Sequence, residues 1–288
     1  LIDEQAVFEV GMAASTGGRP AQLYRFNANH AHVLVLFTHE QDGQDVLHVR
    51  VADLYGECVY TRQAPLGAIT LTTFEPYIDA ALQAHATIRA LAFGLPGIEL
   101  DGKVVGGDYP ALTGTDFSAH YQARYQLPVI VENDVNAACV GYCTRHGIQS
   151  PAAALYLYFP QKYPPGGGIV IDGRLYKGWT HYAGEVSGMP LGIDWLDPAL
   201  YRSPERITAA LAALIVAAGM LLNPQEVILY GRFLTDQHLT AVLDLCHAQM
   251  PAHAVPRLCR AADFTRDYQD GMIAEALALL EPQISITL

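Results

Sequence analysis

Apolar positions along this chain come in short blocks whose spacing alternates between two residues and three to four. Spacing of two marks strands, and spacing of three to four marks helical faces. Val7–Val10 reads as a strand, Ser15-Thr16-Gly17-Gly18-Arg19-Pro20 as a turn cluster, and Ala21–Phe26 as the returning strand of a hairpin. A hairpin alone is not a stable unit, so this one belongs to something absent or packs on the main body. His32–Phe37, Val46–Leu54 and Cys58–Arg62 predict a three-stranded meander. Apolar residues at 78, 81, 82 and 84 predict a helix over 76–87, with a proline in its first turn. Strand Ile88–Phe93, helix Phe117–Tyr125 and strand Val129–Val131 follow; the last runs through Glu132-Asn133-Asp134 into a helix over Val135–Arg145. The theme then repeats: strand Ala154–Phe159, a hairpin across Asp172-Gly173, helix Pro204–Leu222, strand Val227–Tyr230, and helices Leu239–Gln249 and Asp267–Leu280. The repetition predicts two related α/β lobes with a cleft between them.

Composition narrows the picture. At 288 residues, with 51% hydrophobic and 16% charged positions, the chain can bury a large core and is not disordered. Its 17 Lys+Arg against 29 Asp+Glu leave a net charge of −12, which argues against these residues gripping nucleic acid. Five cysteines at irregular spacing describe no disulfide framework and point to a reducing, cytoplasmic setting. No apolar run reaches the ~18 residues of a membrane span, since the best candidate is interrupted by Thr208 and Gly219, so no membrane partner is expected. The chain lacks an initiator Met and opens at Leu1-Ile2-Asp3, from which we expect a missing N-terminal piece.

Three segments carry the chemistry: Gly94-Leu95-Pro96-Gly97; Glu132-Asn133-Asp134-Val135-Asn136-Ala137-Ala138; and Gly166-Gly167-Gly168 continuing through Ala183-Gly184-Glu185-Val186-Ser187-Gly188. In this order and spacing, from about Ser15 to the end, they resemble the ROK family (repressors, open reading frames and sugar kinases). The resemblance implies an α/β fold of the two-lobed actin-like, ribonuclease-H-like ATPase type, with a remnant N-terminal wing hairpin. It implies a wing hairpin and linker over 1–27, an N-terminal lobe over 28–126 completed by the C-terminal helix 265–288, and a C-terminal lobe over 127–264. Sugar would bind between the lobes near Gly97, Asn133, Asp134 and Glu185, with Asp134 at the position of the family's general base. Taken in isolation, an acid at position 134 is better explained by helix capping; the other two motifs turn the reading toward sugar contact.

Departures from the family pattern carry as much weight. The first phosphate loop of the family's kinases corresponds to Phe37–Asp45, where Glu40, Asp42 and Asp45 would repel a polyphosphate. The second corresponds to Gln161–Gly168, where Pro164 and Pro165 remove two N–H donors. The family's zinc-binding His is Gly188 here, and no cysteine falls within 189–205. Cys139 and Cys143 with His146 invite a metal reading, but buried small hydrophobes explain them more simply. Ala111 stands where sugar-binding members often carry Asn, and Asp108 or Thr113 is the expected substitute.

The resemblance therefore implies the sugar-sensing part of a ROK transcriptional regulator, a repressor of carbohydrate-utilisation genes. Expected with it are no catalytic residue, metal or cofactor, a sugar or sugar phosphate effector, and assembly as a homodimer or tetramer. DNA would be reached through an N-terminal domain outside this chain. The rival readings are an ATP-dependent sugar kinase and a module whose cleft binds a partner protein.

Overall fold

The computed structural model of the chain describes residues 1–13, 21–148 and 152–281. The expected turn cluster at 15–20 and the end of the expected helix 265–288 lie outside them. The first sheet begins with the meander β3 (His32–Gln41), β4 (Gln44–Asp53) and β5 (Cys58–Pro65), preceded by the hairpin of β1 (Val7–Met12) and β2 (Gln22–Phe26). After helix α1 (Glu75–Ala84), strand β6 (Ile88–Leu95) enters this sheet parallel to β3. Two short strands, β7 (Gly97–Leu100) and β8 (Lys103–Gly107), form a hairpin of their own before helix α2 (Phe117–Tyr125). Strand β9 (Val129–Asn133) then pairs parallel to β6, completing the order β5-β4-β3-β6-β9.

That last pairing corrects the expected division at 126/127. Val129–Asn133 hydrogen-bonds to Leu91–Leu95 and so belongs to the first lobe. The boundary falls after Asn133, because parallel partners are brought together by a crossover and leave no local signal of which sheet they join.

The second sheet repeats the arrangement. β10 (Ala153–Phe159), β11 (Gly166–Ile171) and β12 (Arg174–Leu175) form the meander. Helices α4 (Pro198–Arg202) and α5 (Pro204–Leu222) lead to β13 (Glu226–Gly231), which runs parallel to β10. α6 (Asp236–Gln249) leads to β14 (Arg257–Arg260), parallel to β13, giving the order β12-β11-β10-β13-β14. The two sheets thus share one topology: three antiparallel strands followed by two parallel ones.

The central strands are buried on both faces, as parallel pairing with helical cover requires. Leu34, Leu36, Leu91 and Phe93 pack with Ile78, Phe117 and Tyr121 on one face of the first sheet. Val33, Val35 and Phe37 point the other way, into a cluster shared with α3 (Asp134–His146), α7 (Phe264–Ala278) and the second-lobe residues Tyr156 and Ile228. This shared cluster joins the lobes. Its tightest point is the crossing of α3 and α7, where Gly141 and Gly271 bring the two backbones together: a Cβ at Gly271 would overlap the Ala137 carbonyl oxygen.

The second lobe has its own core, centred on α5. This helix is long and apolar enough to cross a membrane by length and composition, contrary to the expectation from Thr208 and Gly219. Its Ile207, Leu211, Leu214 and Ile215 are buried against Leu157, Val227 and Leu229, which accounts for that composition in a folded core.

Candidate functional site

The carboxyl ends of β6 and β9 open into the cleft between the lobes, where open α/β sheets bind ligands. A cavity of about 260 Å³ lies there, and Gly97, Asp108, Asn133, Asp134 and Glu185 all line it. The β7–β8 hairpin brings Asp108 into place: Gly97 faces Gly107 across the ladder, and the Asp108 N–H donates to the Pro96 carbonyl at 2.9 Å. Glu185 follows Gly184, whose φ of +98° suits glycine and whose carbonyl accepts from the Gly167 N–H at 2.8 Å. Thr113 is not among the lining residues.

Capping falls to Asn133, not Asp134. The Asn133 side-chain oxygen accepts from the N–H groups of Val135 (2.9 Å) and Asn136 (3.1 Å), and its amide donates to the Gly97 carbonyl at 3.3 Å. Both ends of this amide are therefore engaged in holding α3 and the β6–β7 turn. Asp134 occupies the first helical position, with Oδ1 accepting from Val135 N–H at 2.9 Å. Glu132 has a structural part: Oε1 accepts from Asn133 N–H and the Asn136 amide, and Oε2 lies 2.5 Å from Lys177 Nζ of the second lobe. Lys177→Ala strands that buried carboxylate, and we expect a loss of about 3 kcal/mol in urea unfolding. An unchanged midpoint would remove this inter-lobe pin.

The cavity is acidic. Burial, and then repulsion from Asp108, push the Asp134 carboxyl up to about 7. Burial followed by Asp45 and Glu185 does the same to Asp108, also to about 7, and burial raises Glu185. Glu40 and Asp45 complete the acidic lining, joined by His39, Tyr158, Tyr163, Tyr182 and Ser187. None of these seven was expected as a ligand contact. Glu40 and Asp45 were expected in the segment matching a phosphate loop; that they also line this cavity depends on how the lobes pack.

The hairpin tip that the resemblance matches to a phosphate loop bridges the lobes beside this cavity. β3 and β4 turn at Asp42-Gly43 with φ of +53° and +80°, a two-residue hairpin turn. Asp42 forms an ion pair with Arg232, Asp45 lies 3.3 Å from Lys162 Nζ, and Glu40 accepts from Gln161 N–H at 3.2 Å. The three acids thus hold second-lobe groups. Pro164 and Pro165 line the same cavity as Asp108 and Asp134. Cys139 and Cys143 sit inside the shared core, and among the described residues no three His, Cys, Asp or Glu side chains gather as a metal site.

Comparison with known proteins fits this architecture. The ROK family profile matches residues 42–194, more than half of the chain. A xylose repressor of Bacillus subtilis (strain 168) is 24% identical over 203 residues, covering 67% of this chain and 51% of the repressor. The chain spans about half the length of that relative. Among solved structures, a ROK family transcriptional regulator, a homolog of the E. coli MLC protein, superposes with a TM-score of 0.69 at 16% identity, over 96% of this chain and 88% of that one. A ROK hexokinase from Thermus thermophilus superposes with a TM-score of 0.64 at 18% identity, over 85% and 97%. The likeness to these structures establishes the actin-like two-lobed fold.

Proposed function

The chain belongs to the ROK family, and from that premise we propose that it is the sugar-sensing part of a cytoplasmic transcriptional regulator, a repressor of carbohydrate-utilisation genes without kinase activity. One observation carries the reading. The hairpin that the resemblance matches to a phosphate loop commits its acids to second-lobe groups, in Asp42–Arg232, Asp45–Lys162 and Glu40–Gln161, beside a second cavity of about 240 Å³. Anions on the first hairpin and prolines on the second oppose a bound polyphosphate.

Further support comes from the N-terminal hairpin. Val10, Met12, Leu23 and Tyr24 are all exposed on β1 and β2, an apolar surface suited to covering by another unit. We assign it as the wing of a DNA-binding unit, which fits a regulator covering 96% of the chain against 85% for the hexokinase. Effector binding would favour one lobe or dimer arrangement and so shift the DNA-binding heads. A homodimer or tetramer belongs to the same reading, since palindromic sites are read by symmetric proteins.

The kinase reading draws on Asp134, whose carboxyl faces the cavity as a base would. A thermal-shift panel of D-xylose, D-glucose, N-acetyl-D-glucosamine, D-glucosamine and their phosphates, with and without millimolar ATP-Mg, separates the readings. We expect a sugar-dependent rise in Tm and none from nucleotide. Nucleotide-induced stabilisation with hexose-dependent ATP turnover would establish the kinase. Silence across every sugar would favour a protein-binding cleft.

A further inference from the structure

The charge around the cavity is one-sided. Glu40, Asp45, Asp108, Asp134 and Glu185 line it, and among the described residues no lysine or arginine does. Lys162, on the neighbouring loop, is already held by Asp45 at 3.3 Å. Three of these five, Asp108, Asp134 and Glu185, also have unfilled acceptors among the described residues. Asp134 is 6% exposed, and among the described residues only its Oδ1 has a partner, the Val135 N–H. Among the described residues the carboxylates of Asp108 and Glu185 have no hydrogen-bond partner and no ion pair; the hydrogen bonds of these two residues are made by backbone groups.

Such a cavity discriminates by charge. A phosphate ester would bring up to two negative charges among five carboxylates with no guanidinium or ammonium to receive them. An ammonium group offers three N–H donors and one positive charge to the same acceptors. We propose that the cleft recognises an unphosphorylated sugar bearing a free amine, with the ammonium held among Asp108, Asp134 and Glu185. This rests on the sugar-sensing reading above and names the chemical class of its effector. Burial and then Asp108 raise Asp134, burial and then Asp45 and Glu185 raise Asp108, and a cation among these acids would relieve the repulsion. The cavity of about 260 Å³ sets a scale of one sugar ring.

Isothermal titration at pH 7.5 with D-glucosamine, D-glucose, N-acetyl-D-glucosamine and D-glucosamine 6-phosphate tests the proposal. We expect glucosamine to bind at least tenfold more tightly than glucose or the acetylated sugar, and at least a hundredfold more tightly than its 6-phosphate. In Asp108→Asn the preference for glucosamine over glucose should collapse, and Asp108→Lys should admit the 6-phosphate. Equal or tighter binding of the acetylated or phosphorylated sugar overturns the amine assignment while leaving sugar sensing intact. A glucosamine preference that survives in Asp108→Asn overturns it as well. No heat with any of the four, from protein that melts cooperatively, overturns both readings.

Discussion

Asp134→Asn is expected to abolish the sugar-induced thermal shift and, at the same time, to raise the melting temperature of the free protein at pH 8. The two effects share one cause. The Asp134 carboxyl is buried at the floor of the cleft and is pushed from 3.8 up to about 7, first by burial and then by the neighbouring Asp108. A group whose folded value exceeds its unfolded one favours folding when protonated. Its full contribution is present below the unfolded value and is lost as pH rises through the interval from 3.8 to about 7. Above that interval the folded protein carries an ionised, poorly solvated carboxylate.

A displacement of about three pH units corresponds to at most roughly 4 kcal/mol. With water reaching the cavity, we expect about 1–2 kcal/mol, or roughly 2–6 °C in Tm. Asparagine keeps the shape and removes the charge, so the variant should lose part of the wild-type decline between pH 4 and 7. Melting curves at pH 5 and pH 8 decide the matter: coincident differences between variant and wild type at the two values would show that Asp134 is not held under strain. Retained sugar affinity would sink its role in binding.

Gly271→Ala should have the larger effect on stability, with the sign opposite to that of helix propensity. In an exposed helix interior, alanine stabilises by about 1 kcal/mol relative to glycine. Here the added Cβ would overlap the Ala137 carbonyl oxygen and lie 3.0 Å from the Gly141 N–H nitrogen. Both neighbours are backbone, so no side-chain rotation relieves the clash, and α7 must move away from α3. That motion displaces Tyr268, which packs 4.8 Å from Phe37 between centroids and fills the space above Gly94. We expect a loss of about 3 kcal/mol or more, seen as a fall of roughly 10 °C in Tm. Because α3 carries Asp134 at its first turn, sugar affinity should fall with it. A rise in Tm would mean that the two helices are not in backbone contact.

The elements themselves were largely legible from local pattern. Helices Phe117–Tyr125 and Pro204–Leu222 have the limits that their spacing predicts, because a proline or a turn residue stops each one. The β7–β8 hairpin was not predicted: Gly97, Gly106 and Gly107 interrupt its alternation, and Gly97 and Gly107 are needed where their backbones meet. β14 (Arg257–Arg260) also escaped, being a short edge strand with polar ends.

The chain by itself determined the repeated α/β pattern, the site-bearing turns and the family, since each rests on residues close together in sequence. Tertiary structure alone decided that β9 joins the first sheet, that Asn133 rather than Asp134 caps α3, and that Glu40 and Asp45 reach a cavity whose other acids lie some 60 to 140 residues further along. The reason is physical. A periodic pattern says which face of an element is buried, but charge accumulates in a cleft only when distant elements pack, and no local signal records that meeting. The net charge of −12, read at first as evidence against nucleic acid, acquires its sharper meaning there, as five carboxylates around one cavity.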